Sequence, residues 1–173
     1  MNNTFIELMK NYRLKIDIKK MIGYKSKLRY KWTLWFHNLY DNNWLINSYQ
    51  KIYSFNNIYD FWRVYNNHGE LNKGMFFLMK NDIEPLWESE ENKNGGTFSI
   101  KIMKNSKNRW LLFCIDLISG NMDKKNIING LSIVYKKTYY IIKIWINNKK
   151  YNNIENINID NKYKNNIIYN NFK

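Results

Sequence analysis

The sequence is poor in the residues that staple or punctuate a fold. Its single cysteine, Cys114, excludes an internal disulfide and suits a reducing compartment. Proline occurs once, at Pro85, and there are only two histidines, His37 and His68. No nucleophile, HExxH pattern or acid cluster of metal-ligand spacing accompanies either histidine, and no phosphate-cradling glycine loop is present. An enzyme, a metal centre and a bound cofactor are therefore not expected. No stretch approaches the roughly 18 consecutive apolar residues of a membrane span. The N-terminal segment lacks the apolar core of a signal peptide, which makes the cytoplasm the expected location. Acidic residues are also scarce, 14 against 28 Lys and Arg, for a net charge of +14. That surplus favours a polyanionic partner such as nucleic acid. The same lysines accompany abundant Asn, Ile and Tyr, all encoded by AT-rich codons, so charge alone does not select the partner.

What is abundant is apolar and aromatic. Hydrophobic residues make up 45% of the 173 and aromatics 17%, enough for one domain with a substantial core. Residues 1–27 read as a basic arm, residues 28–146 as the domain, and residues 147–173 as an Asn- and Lys-rich tail with a weak strand at Asn166–Tyr169. Leu28–His37 alternates and is rich in aromatics, as a half-buried strand does. Asn57–Tyr65 sets Ile58, Phe61, Trp62 and Tyr65 at helical spacing behind an asparagine N-cap. Met75–Met79 is a short buried strand. Asn92–Gly96 (NKNGG) reads as a hairpin-type turn into a strand over Thr97–Met103. A second helix is expected over Asn108–Ile118, then a strand pair over Gly130–Tyr135 and Tyr139–Ile146. The class is α+β: an antiparallel sheet covered on one face by helices.

Seven tryptophans fall at positions 32, 35, 44, 62, 87, 110 and 145. Most lie on strand or helix faces and serve the core. Trp44 and Trp87 sit in polar loops, and Glu88 directly follows the second of them. Two loop indoles and a carboxylate suit the clamping of a flat, positively charged ring.

The ordered set Trp32–Leu34–Trp35–Phe36, Trp44, Asp60–Phe61–Trp62–Tyr65–Asn66, Ile83–Glu84–Pro85–Trp87–Glu88, Asn92–Gly95–Gly96, Trp110, Gly130 and Ile144–Trp145 resembles the eukaryotic translation initiation factor 4E family. The resemblance implies a curved sheet with a pocket for the 7-methylguanosine cap of messenger RNA on its concave face and helices on its convex face. It implies that Trp44 and Trp87 sandwich the base, Glu88 accepts from the guanine edge and Trp145 touches the N7-methyl group. The family's phosphate-binding positions fall at Lys136, Thr138 and Ile141, and its frequent arginine position falls at Thr97. Lys136 is thus the expected phosphate ligand, with Lys137 in reserve. Ile58, Trp62, Leu111 and Ile115 occupy the places that receive a Tyr-x-x-x-x-Leu-apolar helix from a scaffold factor or a repressor. Ser26–Lys27–Leu28 stands where the family commonly has His-Pro-Leu. Two rival readings stay open: a cap-binding repressor that does not recruit the scaffold, and a general single-stranded RNA binder.

Overall fold

The computed structural model describes residues 26–104 and 108–172. The basic arm expected over 1–27 therefore lies almost wholly outside the described residues. Seven strands form one antiparallel sheet: β1 (Lys27–Asn38), β2 (Tyr49–Asn57), β3 (Gly74–Lys80), β4 (Gly96–Met103), β5 (Ile128–Lys136), β6 (Tyr139–Ile146) and β7 (Ile167–Asn171). Their spatial order is β2-β1-β3-β5-β6-β4-β7. Helix α1 (Ile58–Asn67) follows β2, α2 (Arg109–Ile118) follows β4, and a single turn, α3 (Asn161–Lys164), precedes β7.

The strand periodicity divides the aromatic residues between two faces. Trp32, Leu34, Phe76, Leu78, Phe98, Ile100, Leu131, Ile133, Ile142 and Ile144 join the main core with α1 and α2. The alternate residues Trp35, Phe77, Met79 and Trp145 form a separate buried cluster on the opposite, concave face. α1 starts where Asn57 Oδ1 accepts the Asp60 backbone N–H at 2.8 Å, and Asp60 returns the contact by accepting from Asn57 Nδ2 at 2.8 Å. α2 is apolar on nearly every side and accordingly buried, with Cys114 inside it. Burial raises that thiol far above its usual range, so it packs as a small apolar group.

Two sequence expectations change. The NKNGG run is not a hairpin turn, because β3 and β4 are not neighbours: β4 lies beyond β5 and β6. Its first asparagine, Asn92, is wholly buried and ties the loop down instead of turning a ribbon. The tail over 147–173 folds onto the domain. Ile157 enters the main core and β7 pairs with β4 from Gly96↔Asn171 to Ile100↔Ile167. The weak strand expected at Asn166–Tyr169 corresponds to β7.

Candidate functional site

The concave face carries an unbroken path of aromatic rings between the two loop tryptophans. Trp44 lies in the segment joining β1 to β2 and stacks on His37, with centroids 4.4 Å apart and planes within 7°. His37 is fully buried, and its Nε2 donates to the Asn43 carbonyl at 2.8 Å, which anchors the loop one residue before Trp44. Tyr49 packs against His37 at 4.6 Å and against Phe77 at 5.4 Å. Phe77 meets Trp145 edge-on at 6.0 Å, Trp145 meets Phe172 at 5.1 Å, and Phe172 meets Trp87 at 6.3 Å with planes 13° apart. Both end members, Trp44 and Trp87, stay 52% exposed, whereas Trp145 is 2% exposed. Large aromatics held half in water at the rim of a buried aromatic floor are available to a ligand in a way that core indoles are not.

The loop that presents Trp87 is rigid for a local reason. Asn92 Nδ2 donates to the carbonyls of Glu84 and Leu86 at 2.9 and 2.7 Å, and its Oδ1 accepts from Asn129 at 2.9 Å. Asn129 also donates to the Glu91 carbonyl at 2.7 Å. Two buried side-chain amides thereby satisfy the loop backbone on both sides of Trp87 and Glu88. Gly95 closes the loop where a Cβ would lie 1.8 Å from the Ile146 carbonyl oxygen, a position that only glycine can occupy.

Electrostatics connect the two loops. Burial first, and the Glu88 carboxylate second, push the Tyr49 hydroxyl up to about 12. Glu88 itself is exposed, following Trp87, and its charge is thus felt by a ring that packs on the histidine beneath Trp44. Deeper in the floor, Trp145 Nε1 donates to Ser132 Oγ at 2.9 Å, which fixes the indole's orientation.

The register places the lysines. Ser132 pairs with Lys143, and Lys136 with Tyr139, in the same alternation that puts Trp145 on the concave face. Lys136 and Lys143 therefore share that face. Burial chiefly, and Lys136 secondarily, lower the ammonium pKa of Lys143. Lys137 lies in the turn after β5, outside this row, so Lys143 replaces it as the second concave-face lysine. Its parity, two residues before Trp145, was the signal that would have found it. Ile141 is on the same face without charge, and Thr97 is buried opposite Trp145. Phe172 had no comparable signal, being one aromatic in an asparagine-rich tail.

On the convex side the four expected partner residues do not form one open patch. Leu111 and Ile115 are 4% and 8% exposed and belong to the main core, because α2 turns these residues inward. Ile58 and Trp62 on α1 are partly exposed, and Trp62 packs edge-on against Phe61 and Tyr65 at 5.2 and 6.1 Å. Among the described residues no cluster of His, Cys, Asp and Glu is placed to hold a metal ion, and no helix is long and apolar enough to cross a membrane.

The described residues form a curved antiparallel sheet with helices on one face and, on the other, two rim indoles and a carboxylate, an arrangement that could clamp a flat aromatic ring. Residues 27–172 match the family model described as eukaryotic initiation factor 4E, and the chain belongs to that family. It is 31% identical over 131 residues to eukaryotic translation initiation factor 4E of Dictyostelium discoideum, covering 70% of this chain and 52% of that protein. The Candida albicans factor of the same name is 28% identical over 153 residues, covering 80% of this chain and 73% of that one. The chain thus spans about half of the Dictyostelium relative's length. In fold it is similar to Ascaris suum eIF4E-3 solved with an m7G cap, at a TM-score of 0.66 and 20% identity, covering 76% of this chain and 78% of that one. It is similar also to Caenorhabditis elegans eIF4E-3 in complex with the 4E-binding protein Mextli, at a TM-score of 0.64 and 20% identity, covering 76% and 80% of the two chains.

Proposed function

We propose that this protein binds the 7-methylguanosine cap of messenger RNA and acts, without catalysing a reaction, as a cytoplasmic translation initiation factor. The observation that carries the reading is the aromatic floor running from Trp44 to Trp87 with the Glu88 charge beside it. Methylation at N7 makes guanine a cation, and a cation between two indole faces gains an electrostatic term beyond ordinary stacking. The same charge makes the N1–H more acidic and strengthens its bond to the Glu88 carboxylate. Trp145, held by Ser132, is the floor against which the methyl group rests. Lys136 and Lys143 face the triphosphate. Phe172 acts on the base through another residue. With centroids 6.3 Å apart and planes 13° from parallel, Phe172 stacks beside Trp87, which remains half exposed. Phe172 is thus a positioning residue that links Trp87 to the buried Trp145.

The discriminating quantity is charge, so the protein should prefer 7-methyl-GTP over GTP by roughly tenfold or more, the size of a cation–π contribution of about 1–2 kcal/mol. Titration of both nucleotides by tryptophan fluorescence measures it, and equal affinities would refute the reading. The capture of Ascaris and Caenorhabditis relatives with cap and with a 4E-binding protein supports the same two classes of partner here.

Recruitment of a scaffold through a Tyr-x-x-x-x-Leu-apolar helix is the second part of the proposal. It rests on Ile58 and Trp62, because Leu111 and Ile115 are committed to the core. That commitment favours the repressor reading more than a fully open convex patch would. A peptide of this pattern, tested by calorimetry against the wild type and Trp62→Ala, decides between them. Binding that Trp62→Ala abolishes supports initiation, and no binding to the wild type supports sequestration of capped messages.

A further inference from the structure

Past the phosphate lysines, the ends of β4, β5 and β6 form a corner that the base pocket does not use. Two rows cross it in register: Val134, Ile141 and Lys101, then Lys136, Tyr139 and Met103. Strand alternation puts all six on the face that carries Trp145. Lys101 Nζ sits 4.4 Å from the centre of the Tyr139 ring, and Met103 is 56% exposed despite being apolar. Just around the corner Lys104 Nζ donates to the Tyr135 hydroxyl at 3.1 Å and lies 5.1 Å from its ring.

The charge at this corner is uncompensated. Lys31, Lys51, Lys93, Lys162 and Lys164 each face a carboxylate. Among the described residues no ion pair involves Lys101, Lys104, Lys136, Lys137 or Lys143. A coding bias toward lysine raises lysine everywhere. It does not gather unpaired lysines, interleaved with tyrosines and one exposed methionine, at the end of the face that starts at the base pocket.

We propose that this corner binds the first nucleotides of a single-stranded RNA attached to the cap, an inference that rests on the cap-binding reading. Tyr139 lies six residues from Trp145 along β6, roughly 20 Å at about 3.3 Å per residue. The triphosphate takes the near part of that distance at Lys143 and ends at Lys136, which pairs with Tyr139. The nucleoside joined to its far end then arrives over Tyr139, Lys101 and Met103. Ammonium groups neutralise the backbone phosphates while the ring and the thioether supply surfaces for bases, a combination that holds single strands without reading their sequence. It also gives the protein a second hold on the message where Thr138 and Ile141 leave the triphosphate with fewer cations.

The test compares 7-methyl-GTP with a capped, unstructured oligoribonucleotide of about ten nucleotides, a typical single-strand site size. Wild-type full chain should bind the capped oligonucleotide roughly tenfold tighter, with a gain that shrinks as salt rises. Lys101→Ala combined with Tyr139→Ala should remove that gain and leave 7-methyl-GTP affinity at the wild-type value. Equal wild-type affinities for the two ligands, or a gain that survives the double substitution, overturn the proposal while the cap reading stands. Failure of the wild type to bind either ligand overturns both.

Discussion

Trp87→Ala should weaken binding of 7-methyl-GTP by roughly thirtyfold to a thousandfold, from about 2–4 kcal/mol of lost stacking and cation–π energy. The protein should meanwhile keep its melting temperature, because half of the indole is already in water and surface substitutions of that kind change stability by no more than about 0.5 kcal/mol. That separation of binding from folding makes Trp87 the better probe. Trp145→Ala would remove a buried indole and its bond to Ser132, and an affinity loss there could not be told from a collapsed floor. Phe172→Ala should give a smaller effect of the same sign. Without Phe172 the Trp87 side chain must be ordered when the base binds, a cost of roughly 0.5–1.5 kcal/mol, or about two- to tenfold in affinity. Phe172→Tyr, which keeps the ring, should restore wild-type affinity. Calorimetry or fluorescence titration of the three variants, with thermal unfolding alongside, reads all of this. Wild-type affinity in Trp87→Ala would remove the clamp from the mechanism. Tighter binding by Phe172→Ala would mean that this ring obstructs the base and does not position its partner.

The proposed base grip was the legible part of the site because its signal is local. An indole in a polar loop followed at once by a carboxylate needs no knowledge of the fold to be noticed, and Trp44, Trp87 and Glu88 are all exposed in the structure. The floor beneath them was only half legible. Strand alternation separates Trp32 from Trp35, and the structure places them in different cores accordingly. Which strands lie side by side is a long-range property, and neither a loop sequence nor a strand period encodes it. NKNGG therefore read as a hairpin, although its strand lies two places further across the sheet, and Asn92 looked like a turn residue when it is a buried clamp for the Trp87 loop.

The same limit explains the lysines and the tail. Choosing Lys137 as a reserve treated neighbours in sequence as neighbours on a face, whereas Lys143, across the hairpin, shares the face with Lys136. The tail looked like low complexity because isoleucines scattered among asparagines have no period. Ile157 needs only a hole in the core, and β7 needs only the free edge of β4. On the convex side, helical spacing identified Leu111 and Ile115 as apolar positions. It did not tell which of the adjoining faces of α2 meets the sheet, and α2 is apolar almost all round.

Asp123→Ala should be the most destabilising single polar substitution in the domain, by about 3–5 kcal/mol, the usual result of stripping a buried charge of its partner. Lys80 ends β3 inside the protein, and its side chain and that of Asp123 are only 8% and 7% exposed, with Nζ 4.0 Å from the carboxylate. Nζ donates to Asn126 Oδ1 at 2.8 Å and lies 4.8 Å from the Tyr30 ring centre. Burial lowers the Lys80 pKa, and Asp123 is the charge that opposes this, so removing the carboxylate leaves the buried ammonium without a countercharge. Asp123 has a second role. Its two oxygens accept the backbone N–H groups of the buried Ile127 and Ile128 at 2.7 and 3.0 Å, the step that leads the chain into β5. Alanine orphans both donors as well as the lysine. Asp123→Asn keeps the shape and one acceptor and should lose less. Lys80→Met combined with Asp123→Asn should recover part of the loss, since the unpaired charge is then gone. Urea unfolding followed by tryptophan fluorescence measures the series. If Asp123→Ala costs no more than a surface substitution, the buried pair contributes nothing to the fold. If the double variant is no more stable than Asp123→Asn alone, the backbone donors rather than the lysine set the cost. Because β5 carries Gly130, Ser132 and Lys136 toward the concave face, a loosened entry to that strand should also weaken cap binding in proportion to the unfolded fraction, unlike Trp87→Ala, which weakens it in a protein that stays folded.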